Sequence, residues 1–427
     1  MKNKFYCIVL IACTLSCEHV PDFHVEIGSD SSMPTLRSIA DAERIAIEAL
    51  QTFPPRTLTK SQTRIVSDIN LIKSVDTKSS NQEVLMYAVN FNDSNGFALV
   101  AANPDKPALL ALSYNGSYDG SETDCAAFNF YMDGLKDALV YDANISRGGI
   151  VGDFYYTDFD TTYFSRAVNP EIDCNWHQGA PFDTYCLDAH DNLCPAGCGA
   201  VAVAHALSRY SVPDNIPLTF TDAPQSTLSI NWDNCKKHNY AHGTCSTCTS
   251  NALLMREIGE RCHMSYSTAG SSSYLGDLQE CLTSFGYQSE FHSGYDFSKI
   301  LNSLNTNKTV ILRGARQTAS GYVGHFWNVD GYIYNEETVK CYTATNNNPL
   351  KQYNGFETTK TWHLYFEFGW QTSMYDGYYI AYSSRYGDGL GFYDSIVEEP
   401  MLTMFQCPSS INYANGIYML TNIFPAN

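Results

Sequence analysis

One stretch constrains this chain more than any other: Cys194-Pro195-Ala196-Gly197, followed by Cys198-Gly199-Ala200-Val201-Ala202-Val203-Ala204-His205-Ala206-Leu207. A turn-prone lead-in ends at Gly197, and a cysteine then opens a run of small apolar residues. The run is too long for a buried strand and rich in helix formers, so it predicts a buried helix starting near Cys198. A thiol at a helix N-terminus lies among unpaired N–H groups at the positive end of the helix dipole, and both favour thiolate. Thiolate is the attacking form of cysteine, so a cysteine hydrolase would carry its nucleophile here. The same residues also suit a plain buried cysteine or one half of a disulfide.

What surrounds this stretch narrows the classes of protein. A length of 427 residues predicts two or three structural units, and 44% hydrophobic with 17% charged residues describes a globular chain with a sizeable core. A net charge of −19 would repel a phosphate backbone and argues against a nucleic-acid partner. After the N-terminus no run approaches the roughly 18 apolar residues that a membrane helix needs.

The N-terminus itself reads as an export signal. Lys2 and Lys4 precede the apolar Phe5-Tyr6-Cys7-Ile8-Val9-Leu10-Ile11-Ala12, and Cys13-Thr14-Leu15-Ser16-Cys17 follows. This resembles a bacterial lipoprotein signal over residues 1–17, with lipid expected on Cys17 and Cys13 as the alternative; an ordinary secretory signal would also export the chain. Of the 15 cysteines, Cys7, Cys13 and Cys17 belong to the leader and Cys125 stands alone, which leaves 11 from Cys174 to Cys407. With Cys198 set aside as a free thiol, ten remain, enough for five disulfides in an oxidising compartment.

Farther along, Ser38–Leu50 has apolar residues at helical spacing, and Pro54-Pro55 stops it. Glu83–Phe91 and Gly96–Ala102 read as a hairpin turning at Asn92–Asn95, Asp105–Tyr114 as a third strand, and Ala126–Leu139 as a helix. Residues 142–170 form a candidate linker, with Arg147 and Arg166 as exposed basic processing sites. Helices are then predicted over Asn251–Gly259 and Leu275–Phe285. Strands are predicted at Val310–Arg313, Phe326–Ile333 and Tyr378–Tyr382, an α+β layout.

If Cys198 is a nucleophile, its base must be near in space. His205 lies two helical turns away, about 10 Å along the axis, and drops out. His325, in Gly324-His325-Phe326-Trp327-Asn328-Val329-Asp330-Gly331-Tyr332, opens an apolar strand that could aim it at the helix terminus. There it could pair with thiolate and protonate a leaving amine. Zinc is the rival chemistry, since Cys235, His238, His242, Cys245 and Cys248 cluster within fourteen residues. In an exported chain, disulfide stapling of that loop is the preferred reading. No cofactor motif is present: there is no phosphate loop, dinucleotide fingerprint or G-x-S-x-G elbow.

Taken together, Ala196–Ala202, Gly324-His325 and Asp330-Gly331-Tyr332 resemble the streptopain-type cysteine peptidases. Asn175-Trp176-His177-Gln178-Gly179-Ala180-Pro181-Phe182 looks like the family's segment bearing an oxyanion-hole glutamine. Ile230-Asn231-Trp232, Met264-Ser265-Tyr266, Gly270–Ser273, Phe285-Gly286-Tyr287 and Thr421–Pro425 follow in the family's order. The resemblance implies a papain-like α+β fold, a helical lobe plus an antiparallel sheet lobe over residues 167–427. A small inhibitory propeptide over 36–146 would precede it, with a processing linker at 147–166. It further implies a cysteine endopeptidase made as a zymogen, needing no cofactor or metal and acting on proteins or peptides. Its nucleophile would be Cys198, its base His325 and its oxyanion donor Gln178.

Two departures mark the site. The family's Asn-Trp-Gly-Trp is here Glu367-Phe368-Gly369-Trp370, so Glu367 is expected to orient His325, and Trp370 to wall the site. Gly199 stands where the family usually has valine. A catalytically inactive papain-like binding protein and an acyl transferase with the same dyad are the alternatives.

Overall fold

The computed structural model describes residues 36–53, 64–74, 83–141, 158–238, 246–318, 321–345, 348–371, 374–388, 399–404 and 416–426. The leader with Cys13 and Cys17, the Arg147 processing site, His242, Cys245 and Cys407 lie outside the described residues.

Helix α1 (Ile39–Thr52) is followed by strands β1 (Val66–Lys73), β2 (Val84–Phe91), β3 (Phe97–Ala101) and β4 (Leu109–Ser113), then helix α2 (Ala126–Tyr141). Strand β5 (Asp158–Val168) leads to α3 (Cys198–Tyr210), the short β6 (Asn215–Pro217) and β7 (Thr227–Ser229), and α4 (Trp232–Lys237). Next come α5 (Ser246–Arg261), α6 (Leu275–Ser284), β8 (Tyr287–Ser293) and α7 (Phe297–Asn305). The remaining strands are β9 (Thr309–Thr318), β10 (Gly321–Thr345), β11 (Asn348–Glu367), β12 (Gly377–Asp388), β13 (Glu399–Thr403) and β14 (Tyr418–Pro425). The architecture is α+β, as expected.

Local chemistry accounts for the elements. Ser38 and Asp41 form a reciprocal cap that satisfies the first N–H groups of α1, and Ala42, Ala46 and Ala49 are its buried stripe. In β2, Met86 and Ala88 enter one core while Tyr87 and Val89 enter another, the two-residue alternation of a strand covered on both faces. The β2–β3 hairpin turns at Asn92–Ser94, as predicted.

These strands build one large antiparallel sheet. Its order is β1-β2-β3-β4-β12-β11-β10-β9-β14-β8, with β13 on β12 and β5 on β10. Strand β12 joins the N-terminal hairpins to the C-terminal strands, because Gly377, Tyr378 and Tyr379 pair with Ser113, Leu112 and Ala111. Helices α2 and α7 cover one face of the sheet. The opposite face carries α3, α5 and α6 around Ile311 and Phe326, and α1 against Ile333, Tyr365 and Tyr378.

Some expectations shift. Helix α5 begins at Ser246 rather than Asn251. Helix α7, capped by the Asp296 side chain with Ile300 and Leu304 buried, was unanticipated. Residues 158–168 are no open linker: β5 pairs with β10 from Val168 opposite Tyr332 to Asp158 opposite Tyr342, and Arg166 lies within it. The side chain of Arg166 donates to Asn305 at 2.9 Å. Cys125, Cys186, Cys194, Cys262 and Cys281 are buried free thiols, so the five-disulfide expectation is not met at the last four of these. None of the helices among the described residues is long and apolar enough to cross a membrane.

Candidate active site

Helix α3 begins at Cys198, the residue the sequence pattern selected. Gly197 precedes it with φ +91°, a conformation that suits glycine, and turns the chain into the helix. Every residue from Gly199 to Arg209 is buried, whereas Cys198 is partly exposed at the helix tip. A buried helix with its first side chain open to the surface presents a thiol without exposing its own backbone.

Strand β10 brings His325 to that tip. His325 is buried and lies close enough to the Cys198 thiol for each group to shift the other's ionisation. Burial alone would raise the thiol pKa, but the charge and hydrogen bond of His325, with N–H groups of Phe326 and Gly199, outweigh it and hold Cys198 below the ordinary thiol value. The reverse applies to the imidazole. Burial disfavours its charged form, yet Cys198 and the Phe368 carbonyl carry its pKa above the ordinary histidine value. Both shifts favour a thiolate–imidazolium pair.

The other ring nitrogen settles the orientation. Nε2 of His325 donates to the Phe368 carbonyl at 3.1 Å, because a carbonyl only accepts. Nε2 therefore carries a proton, and the remaining nitrogen, Nδ1, is the one left for the thiol. The expected orienter was the Glu367 carboxylate. Glu367 is buried on β11 opposite Asn328, and the main chain of the next residue meets the histidine instead. Trp370 packs edge-on to His325 with ring centroids 5.9 Å apart, where a wall residue was expected.

Gln178 lies in the segment leading to the helix. Its carbonyl accepts the Ala196 N–H at 2.8 Å, which ties it two residues upstream of Cys198. Its side chain is partly exposed. The neighbouring Trp176 is buried and stacks on Trp232 with ring centroids 6.5 Å apart, anchoring this segment in the helical lobe.

Two further bonds lock α3 along β10. Asn328 donates to the Ala202 carbonyl at 3.1 Å, and the buried Arg209 meets the buried Asp330 at 2.5 Å. Asp330 also accepts the N–H groups of Glu171 and Ile172, so one carboxylate fastens helix, strand and incoming chain. Sequence reading saw Asp330-Gly331-Tyr332 only as a motif. Its partner Arg209 carried a signal, a lone cation in the last turn of an otherwise apolar helix. His205 is fully buried beside Trp176, as its spacing from Cys198 implied.

Among the described residues no group of three or more His, Cys, Asp or Glu side chains is placed to hold an ion, and His242 and Cys245 of the sequence cluster lie outside them. Cys235 and Cys248 are buried, in α4 and α5, and His238 caps α4 with Nδ1 against the Asn234 carbonyl at 2.8 Å.

A helix-tip cysteine paired with a strand histidine whose second nitrogen is fixed is the arrangement that nucleophilic thiol catalysis requires. Residues 176–379 match the model of the peptidase C10 family, so this part of the chain is similar to the streptopain-type cysteine peptidases. Among solved structures, it is similar to prointerpain A of Prevotella intermedia, at 16% identity and a TM-score of 0.49, covering 84% of this chain and 99% of that one. It is also similar to active wild-type interpain A of the same organism, at 15% identity and a TM-score of 0.38, covering 60% of this chain and 95% of that one. No curated protein matches the chain.

Proposed function

We propose that this chain is the precursor of an exported cysteine endopeptidase. The observation that carries the reading is the Cys198–His325 pair, with His325 held by the Phe368 carbonyl. Cys198 thiolate attacks the scissile carbonyl carbon, and the oxyanion that forms is met by the Cys198 N–H and the Gln178 side chain. The His325 imidazolium then gives its proton to the leaving amine as the C–N bond breaks. Water, deprotonated by the same imidazole, releases the acyl group and restores the thiol. Trp370 shields the histidine from solvent.

The N-terminal unit is read as the inhibitor. It grips the turn that follows β11: Gln371 donates to Asp124 at 3.2 Å, the Ser113 hydroxyl donates to the Asp376 carbonyl at 3.0 Å, and Phe128 stacks on Tyr375 at 4.5 Å. The turn carries Trp370, so this grip lies beside the site without taking the dyad apart. Cleavage at Arg147 or Arg166 would free it. Because Arg166 lies in a paired strand, cleavage there requires β5 to peel from β10. Export rests on the leader, with lipid attached to Cys17.

Casein hydrolysis by the purified protein after maturation tests the activity, and Cys198→Ala should abolish both hydrolysis and self-processing. Processing retained by the pure Cys198→Ala precursor would remove the self-maturation part. An intact, thiol-reactive protein that transfers acyl groups to an added amine in preference to water would instead favour an acyl transferase. Incorporation of a labelled fatty acid that is lost in Cys17→Ser tests the anchor.

A further inference from the structure

The histidine is oriented by a carbonyl, and a carbonyl is only as well placed as the turn that bears it. Phe368 follows the last residue of β11, and Gly369 comes next with φ +61°. A Cβ on Gly369 would lie 2.7 Å from Val201 Cγ1, so the turn is pressed against the nucleophile helix on one side. On the other side one side chain holds it. Asp376, buried just before β12, accepts the Phe368 N–H at 2.7 Å. Phe368 is thus bonded at both ends, its N–H to a carboxylate and its carbonyl to His325.

We propose that Asp376 is the positioning residue of the dyad: it holds Phe368 so that the Phe368 carbonyl fixes His325 toward Cys198. This rests on the dyad proposed above. It also explains how Glu367 can stand where the family has asparagine. With a side-chain orienter, residue 367 would decide the histidine's geometry. With a main-chain orienter, the decision moves to whichever group fixes the peptide, and here that group arrives from the start of the next strand. The same residue meets the N-terminal unit, since the Asp376 carbonyl accepts from Ser113 at the point where β4 pairs with β12. The hold on the histidine and the grip of the N-terminal unit therefore converge on one residue.

The test is the pH profile of Cys198 alkylation by iodoacetamide in the full chain, with the modified residue identified by peptide mass mapping. It needs neither maturation nor turnover. Wild type should react fast at mildly acidic pH. If it does not, the dyad itself is wrong and the inference falls with it. Given a normal wild type, Asp376→Ala should slow alkylation at that pH by about tenfold, the loss of the one hydrogen bond that holds the Phe368 peptide passed on to the ion pair. Asp376→Asn, whose amide oxygen still accepts the Phe368 N–H, should keep the wild-type profile. If the alanine chain does not fold, Asp376→Ser, too short to reach, takes its place. An unchanged profile in Asp376→Ala or Asp376→Ser overturns the proposal, and so does an asparagine variant that loses the profile.

Discussion

At the residue scale, the two members of the proposed dyad were legible for different reasons. Cys198 announced itself through local pattern: a glycine, a thiol, then small apolar residues that only a buried helix accommodates. His325 was legible as a histidine opening an apolar strand that could face the helix terminus, and the resemblance strengthened that choice. The partner of its second nitrogen was not legible. Sequence offers side chains to compare, so Glu367 drew attention, while the group that reaches Nε2 is a backbone carbonyl that any residue at position 368 would supply. The opposed pKa shifts of Cys198 and His325 make a direct prediction. Both shifts favour the ion pair, so alkylation of Cys198 should set in at lower pH than for an ordinary thiol and depend on pH less steeply. In His325→Ala the thiolate loses its counter-charge, and the rate should instead climb about tenfold per pH unit toward the ordinary thiol range. Glu367→Asn should keep the wild-type profile, because Glu367 is not what meets His325; a profile lost in that variant would restore a side-chain orienter.

At the element scale, α3 and β10 match in length between their fastenings. From Cys198 to Arg209 a helix rises about 16 Å, and from His325 to Asp330 a strand extends about 16 Å. The Cys198–His325 contact and the buried Arg209–Asp330 pair therefore close opposite ends of one helix–strand unit, with Asn328 to Ala202 between them. Hydrophobic periodicity found both elements but could not reveal this, because the two segments lie more than a hundred residues apart. The close fit also accounts for Gly199. A Cβ there would lie 2.7 Å from Ser273 Oγ and 3.0 Å from Leu278 Cδ1, so Ser273 just before α6 and Leu278 within it occupy space that a larger residue would fill. Restoring the family's valine, Gly199→Val, should consequently destabilise the fold by about 1–3 kcal/mol through overpacking. Urea unfolding would show it as a lowered midpoint with an unchanged slope. An unaltered midpoint would mean that these two side chains yield freely.

At the scale of the whole molecule, the sequence suggested two units in series, whereas their strands form one sheet. The junction is invisible in sequence because β4 and β12 are more than 250 residues apart and their pairing spans only three residues on each side. What seals the junction is side-chain burial, and one group there responds to pH. His363, on β11, is buried with its ring edge-on to Phe53 at the end of α1, and its Nε2 donates to the Leu109 carbonyl of β4 at 3.0 Å. Burial pushes its pKa down to about 4 against a small upward pull from the Leu109 bond, and no charged group contributes. Once separated from these partners, the imidazole titrates near its ordinary value of about 6.5. Above that pH both states are neutral and the contact has its full strength. As pH falls from about 6.5 toward 4, the exposed state takes up the proton first and the folded, docked state loses stability. The loss is largest below the folded value, where it approaches about 3 kcal/mol, a substantial part of the roughly 5–15 kcal/mol that holds a domain together. His177 and His292, whose values are also lowered, would add to the slope, so a variant must isolate this site. In the Cys198→Ala chain, where the proposed self-processing is blocked, the urea midpoint should fall between pH 7 and pH 4.5. His363→Phe, which keeps an aromatic ring against Phe53 but cannot take a proton, should flatten that fall. Identical pH dependence in the two chains would show that acid weakens the precursor elsewhere, and that β4 and α1 are held on β11 by packing alone.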